Sequence, residues 1–173
     1  MPSDSPATNG PATALARGVA TEFRRRLQGE YLPRIRRCVG LLGDGGVWQR
    51  PAPNCNSVGN LLLHLAGNTT QWILATFGDT TDARNRPAEF AAEGGQSAAE
   101  LLARLAAVVD RACDVVAALP VEELLRTRLV QARYQETGLS AVLHVLEHFS
   151  GHAGQIYAWT KQATGQDLRF YDL

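Results

Sequence analysis

Three of the chain's four histidines share one stretch, residues 139–165, at a spacing that suits metal binding. His144, His148 and His152 are four residues apart. A step of four on an α-helix advances about 40° around the axis, so the three imidazoles form one stripe. Gly151 and Gln155 fall on or beside this stripe. Buried imidazoles cost stability unless their nitrogens have partners, and a metal ion is the partner that fits two histidines at i and i+4.

The remaining histidine, His64, lies at the centre of a second polar stripe. Asn60, Asn68 and Gln71 share its face on a predicted helix that is otherwise rich in leucine. The leading hypothesis is a mononuclear metal held by His64 together with two histidines of the first stripe. Because three imidazoles leave coordination positions open, the layout is that of a catalytic site, where the metal lowers the pKa of its water. We therefore expect the two helices to be neighbours with their polar stripes facing each other.

Spacing alone does not decide which two histidines of the first stripe are ligands. His144 with His148 and His148 with His152 are equally good pairs, and Gly151 clears volume beside His152, which favours that end. Asn68 lies one turn from His64, and Gln155 about one turn from His152. Either amide is expected to orient a ligand or to hold a substrate.

Other chemistries are weaker alternatives. The histidines could instead be core residues bonded to backbone or solvent. No serine sits in a GxSxG turn, and Ser150 lies on a different helix face from the imidazoles. Cys55 lies in a loop, where a lone cysteine is usually inert. Phosphate-binding and dinucleotide-binding fingerprints are absent.

Hydrophobic periodicity predicts four long helices that would position these residues. They are expected over about 11–42, with Pro33 kinking or splitting the first, over 57–77, over 97–119 and over 137–165. Residues 78–96 are expected to be a long connection, a kind that is usually functional, and 126–136 an extended one. The fold class is therefore all-α, a four-helix bundle, in which metal sites are built from inward side chains of facing helices.

Composition fits one globular domain. The 173 residues carry 17 basic and 17 acidic side chains, so nothing in the net charge favours nucleic acid as a partner. Three cysteines without a CxxC spacing indicate a reducing compartment, and no apolar run is long enough to span a membrane. We expect a flexible tail over 1–11, a single domain over 12–173 with Phe170 and Tyr171 docked on its body, and a cytoplasmic location.

Two segments, NSVGNLLLHLAGNTTQWI and HVLEHFSGHAGQI, resemble the DinB-like superfamily, also called YfiT-like, of bacterial metal-binding four-helix bundles. The resemblance covers roughly residues 12–165. It implies that His64, His148 and His152 are the metal ligands, that the metal is zinc or nickel, and that the protein is a homodimer. Better-understood members are transferases or isomerases that use a low-molecular-weight thiol, bacillithiol or mycothiol, or metal-dependent hydrolases.

The resulting functional hypothesis is a metal-dependent enzyme, of the thiol-dependent transferase or hydrolase type, acting on a small electrophilic substrate. Asn68, Gln155 and His144 are the candidate catalytic residues that assist the metal. The alternative is a metal or small-molecule binding protein without turnover, for instance one with a role in stress. An open metal position inside a pocket favours the enzyme, whereas a closed site favours the binding protein.

Overall fold

The computed structural model describes residues 10–170, and these form an all-α bundle of four helical arms, as predicted. Two of the arms change from α-helical to π-helical geometry along their length. The first arm comprises α1 (Pro11–Arg24), a π-helical segment (Arg25–Tyr31) and α2 (Leu32–Val47); the second comprises α3 (Val58–Thr69), a π-helical segment (Thr70–Leu74) and α4 (Ala75–Phe77); the third is α6 (Ala98–Ala118) and the fourth α8 (Gly138–Thr164). The expected tail over 1–11 falls mainly on residues 1–9, outside the described part of the chain.

Pro33 neither splits nor ends the first arm. Proline has no N–H to donate, and its ring collides with the carbonyl four residues earlier in an ordinary α-helix. Here the turns that precede it are π-helical, and Leu32 donates its backbone N–H to the Leu27 carbonyl, five residues back. The wider turn accommodates the proline ring. The helical geometry breaks instead at Gly43, whose φ of 61° is accessible mainly to glycine.

The predicted helix starts are present as caps. The Ser57 side chain accepts from the backbone N–H of Asn60, whose own side chain accepts from the Ser57 N–H, and Ser97 with Glu100 repeats this reciprocal pattern. Thr137 caps the start of α8, and Gly165 ends that helix in the left-handed conformation.

The core lies between the four arms and is almost wholly apolar. Helix α3 packs on α6, and α2 packs on α8, which also contacts α3. The largest side chains without solvent exposure are Phe23, Leu27, Ile35, Leu61, Leu65, Ile73, Leu105, Phe149 and Ile156. Cys38 and Cys113 are buried among them, and burial raises the pKa of the Cys113 thiol to about 11. These two cysteines therefore act as small apolar residues.

Two connections carry structure that sequence periodicity did not predict. The 78–96 connection contains a short helix, α5 (Arg86–Ala91). After α7 (Val121–Leu125), the expected extended connection is an antiparallel hairpin of β1 (Thr127–Val130) and β2 (Tyr134–Thr137). Its turn places Gln131 and Ala132 at positive φ, the geometry that matches the twist of hairpin strands but that non-glycine residues seldom adopt.

The end of the chain docks as expected where it is described. The Phe170 ring lies 4.7 Å from that of Tyr157 on α8, and Leu168 is buried. Tyr171 lies outside the described residues. Within residues 10–170, none of the helices has the length and apolar character needed to cross a membrane.

Candidate metal centre

His64 projects from α3 into the space between α3 and α8 and is nearly inaccessible to solvent. Only 4% of its side chain is exposed. The other faces of α3 are rich in leucine and pack into the core. The polar stripe of the helix is therefore buried as well. The histidine is therefore fixed by the packing of its helix, although its ring is polar.

His148 and His152 reach the same point from α8. The Nε2 atoms of His148 and His64 are 2.9 Å apart, and the ring centroids of His64 and His152 are 5.0 Å apart. One ring nitrogen from each of the three histidines lies within 4.8 Å of the other two, so the group could hold a metal ion. The structure thus brings together residues that are 84 positions apart in the sequence.

The donor atoms of this group fit a metal ion. Two nitrogens that bind one ion at about 2.0–2.1 Å lie roughly 3 Å from each other, close to the separation of the His64 and His148 Nε2 atoms. In His152 the Nδ1 atom lies 2.9 Å from the Gln155 amide oxygen, which accepts its proton and leaves Nε2 with a free lone pair. In His64 the Nδ1 atom lies 2.9 Å from a carboxylate oxygen of Glu89 and 3.0 Å from Arg84 Nη2.

The electrostatic environment keeps the histidines on α8 neutral. Burial, together with the smaller effects of charge on His152, His64 and His144, lowers the pKa of His148 to about 3. Burial also lowers the pKa values of His144 and His152. Because imidazole binds metal in its neutral form, these side chains are ready to act as ligands at pH 7.

His144 lies beside the group of three, not within it. Its ring stacks on that of Trp72, with centroids 3.6 Å apart and planes 19° apart, and its centroid is 5.4 Å from that of His148. Its Nε2 atom lies 3.2 Å from the Nδ2 atom of Asn68. The Asn68 Oδ1 atom is buried and is without a hydrogen-bond partner among the described residues. The two residues form a polar pair next to the three histidines.

A cavity of about 430 Å³ opens along α8 beside the histidines. It is lined by His144, Glu147, His148, Gly151, His152 and Gln155. The space that sequence reasoning attributed to Gly151 is therefore present. Since a ligand in this cavity would touch His148 and His152 directly, the group is open on one side.

Sequence periodicity missed two residues at the site, Glu89 and Arg84, which come from the 78–96 connection. Glu89 is buried beside His64, and Arg84 holds its carboxylate with two hydrogen bonds, of 2.7 and 2.9 Å. Hydrogen bonds to His64 and Arg84 lower the pKa of Glu89 despite the opposing effect of burial, so its carboxylate is charged at pH 7.

The polar stripe of the second arm is the signal that could have identified this connection as part of the site. Three of the four residues in this stripe make contacts with the 78–96 connection. Asn60 donates to the backbone oxygens of Glu89 and Ala92, at 2.9 and 2.7 Å, His64 contacts Glu89, and Gln71 bonds Arg84. Polar side chains on an inward helix face require partners, and the long connection after that helix supplies them.

Cys55 stays outside this arrangement. It is half-buried in the loop that precedes α3, and its Sγ atom contacts the Asn54 side-chain oxygen at 3.8 Å. Ser150 is exposed on α8, whereas the imidazoles turn toward α3. Neither residue lines the cavity beside the histidines.

Comparison with families of known proteins supports one relationship. Residues 32–156, which include all four histidines and the segment that contains Arg84 and Glu89, match the family model of the DinB superfamily. A search of curated proteins finds no match to the chain.

Proposed function

The chain belongs to the DinB superfamily, and we propose that it is a metal-dependent enzyme whose ion is held by His64, His148 and His152. The observation that carries the proposal is the convergence of three imidazoles beside an open cavity. Two of them have an acceptor oxygen 2.9 Å from Nδ1, that of Glu89 for His64 and that of Gln155 for His152. This arrangement is the one that metal-ligating histidines show when an outer hydrogen bond orients them.

The ion proposed is zinc or nickel, both of which imidazole ligands suit. When bound, such an ion supplies a Lewis acid that polarises a substrate and makes a water or a thiol more acidic. Three protein ligands leave at least one position for that partner. The donor set includes no cysteine, as expected for an open site and unlike the closed structural sites of zinc fingers.

We assign supporting roles to the three polar residues around the histidines. Gln155 orients His152 through its amide oxygen. Asn68 donates to Nε2 of His144, which leaves the His144 proton on Nδ1 as a donor toward a substrate in the cavity that this ring lines. Trp72 fixes the plane of the His144 ring by stacking. A substrate would thus find one oriented donor beside the ligand positions.

The reaction proposed is hydrolysis of a small electrophile, or transfer to it with a low-molecular-weight thiol as co-substrate. A cavity of about 430 Å³ accommodates a molecule of that size. The alternative is a binding protein without turnover, for which the three ligands are equally suited. The open cavity favours the enzyme, since a site that only stores or senses an ion has no need of space for a substrate.

Metal analysis followed by an activity panel tests the proposal. The purified protein is expected to contain about one zinc or nickel ion per chain, and the His152→Ala variant markedly less. Protein loaded with zinc or nickel is then assayed with bacillithiol, mycothiol and glutathione against small electrophiles, and with ester substrates. Turnover that His152→Ala abolishes supports the enzyme, whereas metal binding without turnover across the panel supports the binding protein.

A homodimer in the cytoplasm, the state that the resemblance implied and the sequence favoured, completes the proposal. Light scattering on the eluting peak of a size-exclusion column measures the mass directly, and a mass near 18.7 kDa would contradict the dimer.

A further inference from the structure

We propose that Glu89 is a positioning residue of the metal centre, which keeps the proton of His64 on Nδ1 and so leaves Nε2 as the ligand atom. The inference rests on the proposed metal site and assigns to the 78–96 connection a part in building it. Arg84 and Gly67 complete the arrangement, Arg84 by holding the carboxylate and Gly67 by leaving room for it.

Two proton positions compete at His64, and the contacts around the ring define both. With the proton on Nδ1, the ring donates to Glu89 at 2.9 Å, and its Nε2 lone pair faces His148. With the proton on Nε2, the ring donates to His148, and Nδ1 can accept from Arg84 Nη2, which lies 3.0 Å away. Only the first arrangement leaves His64 free to bind an ion through Nε2.

The charge of Glu89 selects the first arrangement. A carboxylate accepts hydrogen bonds and cannot donate them, so a lone pair on Nδ1 would face a negative charge at hydrogen-bond distance. Burial strengthens this conflict, because the side chains of His64 and Glu89 are only 4% and 10% exposed. Arg84 donates hydrogen bonds from Nε and Nη2 to the two oxygens of the Glu89 carboxylate, and these bonds fix the acceptor in place.

Gly67 allows the carboxylate to approach. It follows His64 by three residues on α3, and a Cβ atom built on it would lie 2.0 Å from Glu89 Oε1 and 2.9 Å from Arg84 Nε. Any side chain at position 67 must therefore displace the pair from His64. This glycine leaves space for a specific interaction; it is not required for the geometry of its own helix.

The backbone of the segment is held independently of the Glu89 side chain. Asn60 is fully buried and donates to the carbonyl oxygens of Glu89 and Ala92. A change of side chain at position 89 leaves these bonds intact, so α5 stays docked. The effect of Glu89 on His64 can therefore be measured without undocking the segment.

The test uses the metal-free protein, in which long-range ¹H–¹⁵N correlation spectra show which ring nitrogen of each histidine carries the proton. His64→Gln identifies the His64 signals. The wild type is expected to carry the His64 proton on Nδ1. In Glu89→Gln it should move to Nε2, because the charge that held it is gone and Arg84 can donate to Nδ1.

Zinc affinity, measured by competition with a chromophoric chelator, provides the second readout. Loss of an outer partner of a ligating histidine weakens metal binding by about 10–100-fold, and this is expected for Glu89→Gln. Gly67→Ala should weaken zinc binding in the same direction although it removes no ligand and no charge. Gly40→Ala is the matched control, since Gly40 is helical and has no atom within 4 Å of the added Cβ.

The outcomes separate a positioning role from a structural one. An unchanged proton position in Glu89→Gln, or an unchanged zinc dissociation constant, would overturn the inference even if the variant melts at a lower temperature. A wild type that binds no zinc or nickel would contradict the proposed function. The proton position in the metal-free protein still decides the role of Glu89 in that case.

Discussion

The Nε2 atoms of His64 and His148 lie 2.9 Å apart, and they belong to helices that approach each other through their polar faces. Each helix presents an apolar surface elsewhere, so burial of those surfaces forces the two imidazoles together. The core therefore positions the candidate ligands, and the ion is not needed to assemble them.

Replacement of the histidines on α8 should distinguish ligands from neighbours. We expect His152→Ala to lose most of the bound metal, because its ring belongs to the convergent group. His144→Ala should retain at least half, because that ring stacks on Trp72 outside the group. Elemental analysis of the purified variants measures this directly. If His144→Ala empties the site while His152→Ala remains loaded, the assignment of ligands along α8 is wrong.

Chelation should lower the thermal stability at alkaline pH without unfolding the protein. An ion that binds only the folded chain stabilises it by about 2.7 kcal/mol at a hundredfold excess over its dissociation constant. For a domain of this size, that corresponds to a shift in Tm of roughly 5–10 °C. Protons compete with the ion for imidazole, but His148 stays neutral down to about pH 3, so we expect the full shift at pH 8 and a smaller one near pH 4.

The metal-free chain should remain folded in the same experiment. Its core of Phe23, Leu27, Leu105 and Phe149 has no solvent exposure and does not include the histidines. Melting curves with and without chelator, on protein whose metal content has been measured first, provide the check. Coincident curves at pH 8 would show that the ion adds no stability, and complete unfolding of the metal-free form would contradict an independent core.

Acid should destabilise the metal-free protein through His148. Burial holds its folded-state pKa near 3, whereas an unfolded histidine titrates near 6.5. Between these values the unfolded chain binds a proton that the folded chain does not, so the free energy of unfolding falls as pH drops below about 6.5. The loss for this residue is on the order of 1 kcal/mol per pH unit at most.

Urea unfolding of the metal-free wild type and of His148→Gln, each at pH 7.5 and 5.5, measures this contribution. We expect the wild type to lose more stability than the variant over this interval. Equal losses would show that His148 is protonated as readily in the folded chain as in the unfolded one.

Two glycines of α8 should respond oppositely to alanine. A Cβ on Gly138 would lie 2.2 Å from the backbone oxygen of Glu123, so Gly138→Ala must separate α7 from α8, at a cost of about 1–3 kcal/mol. A Cβ on Gly154 meets no atom within 4 Å, so Gly154→Ala should be neutral or stabilising, by up to about 1 kcal/mol. Urea denaturation compares the two. A Gly138→Ala variant as stable as the wild type would mean that the junction can relax.

The sequence predicted the parts of this structure that follow helical periodicity. Repeats of four placed His144, His148 and His152 on one face, and Ser57, Ser97 and Gly165 marked helix ends that the structure contains. The partners of His64 did not follow from any period, since Glu89 and Arg84 lie in a connection and meet the ring only through the fold. The hairpin over 127–137 was equally inaccessible, because its turn uses residues that rarely adopt positive φ.

Asn60 holds the α5 segment by hydrogen bonds to the backbone carbonyl oxygens of Glu89 and Ala92, and every amino acid has a backbone carbonyl oxygen. These hydrogen bonds therefore do not depend on most of the side chains of the segment. Thr81, Ala83 and Ala88 of that segment line a separate cavity of about 470 Å³ against α3. A mutant library restricted to these three positions can therefore change the shape of this cavity wall, provided that Arg84 and Glu89 are kept. The segment is thus a suitable place to engineer a new recognition surface beside an intact metal centre.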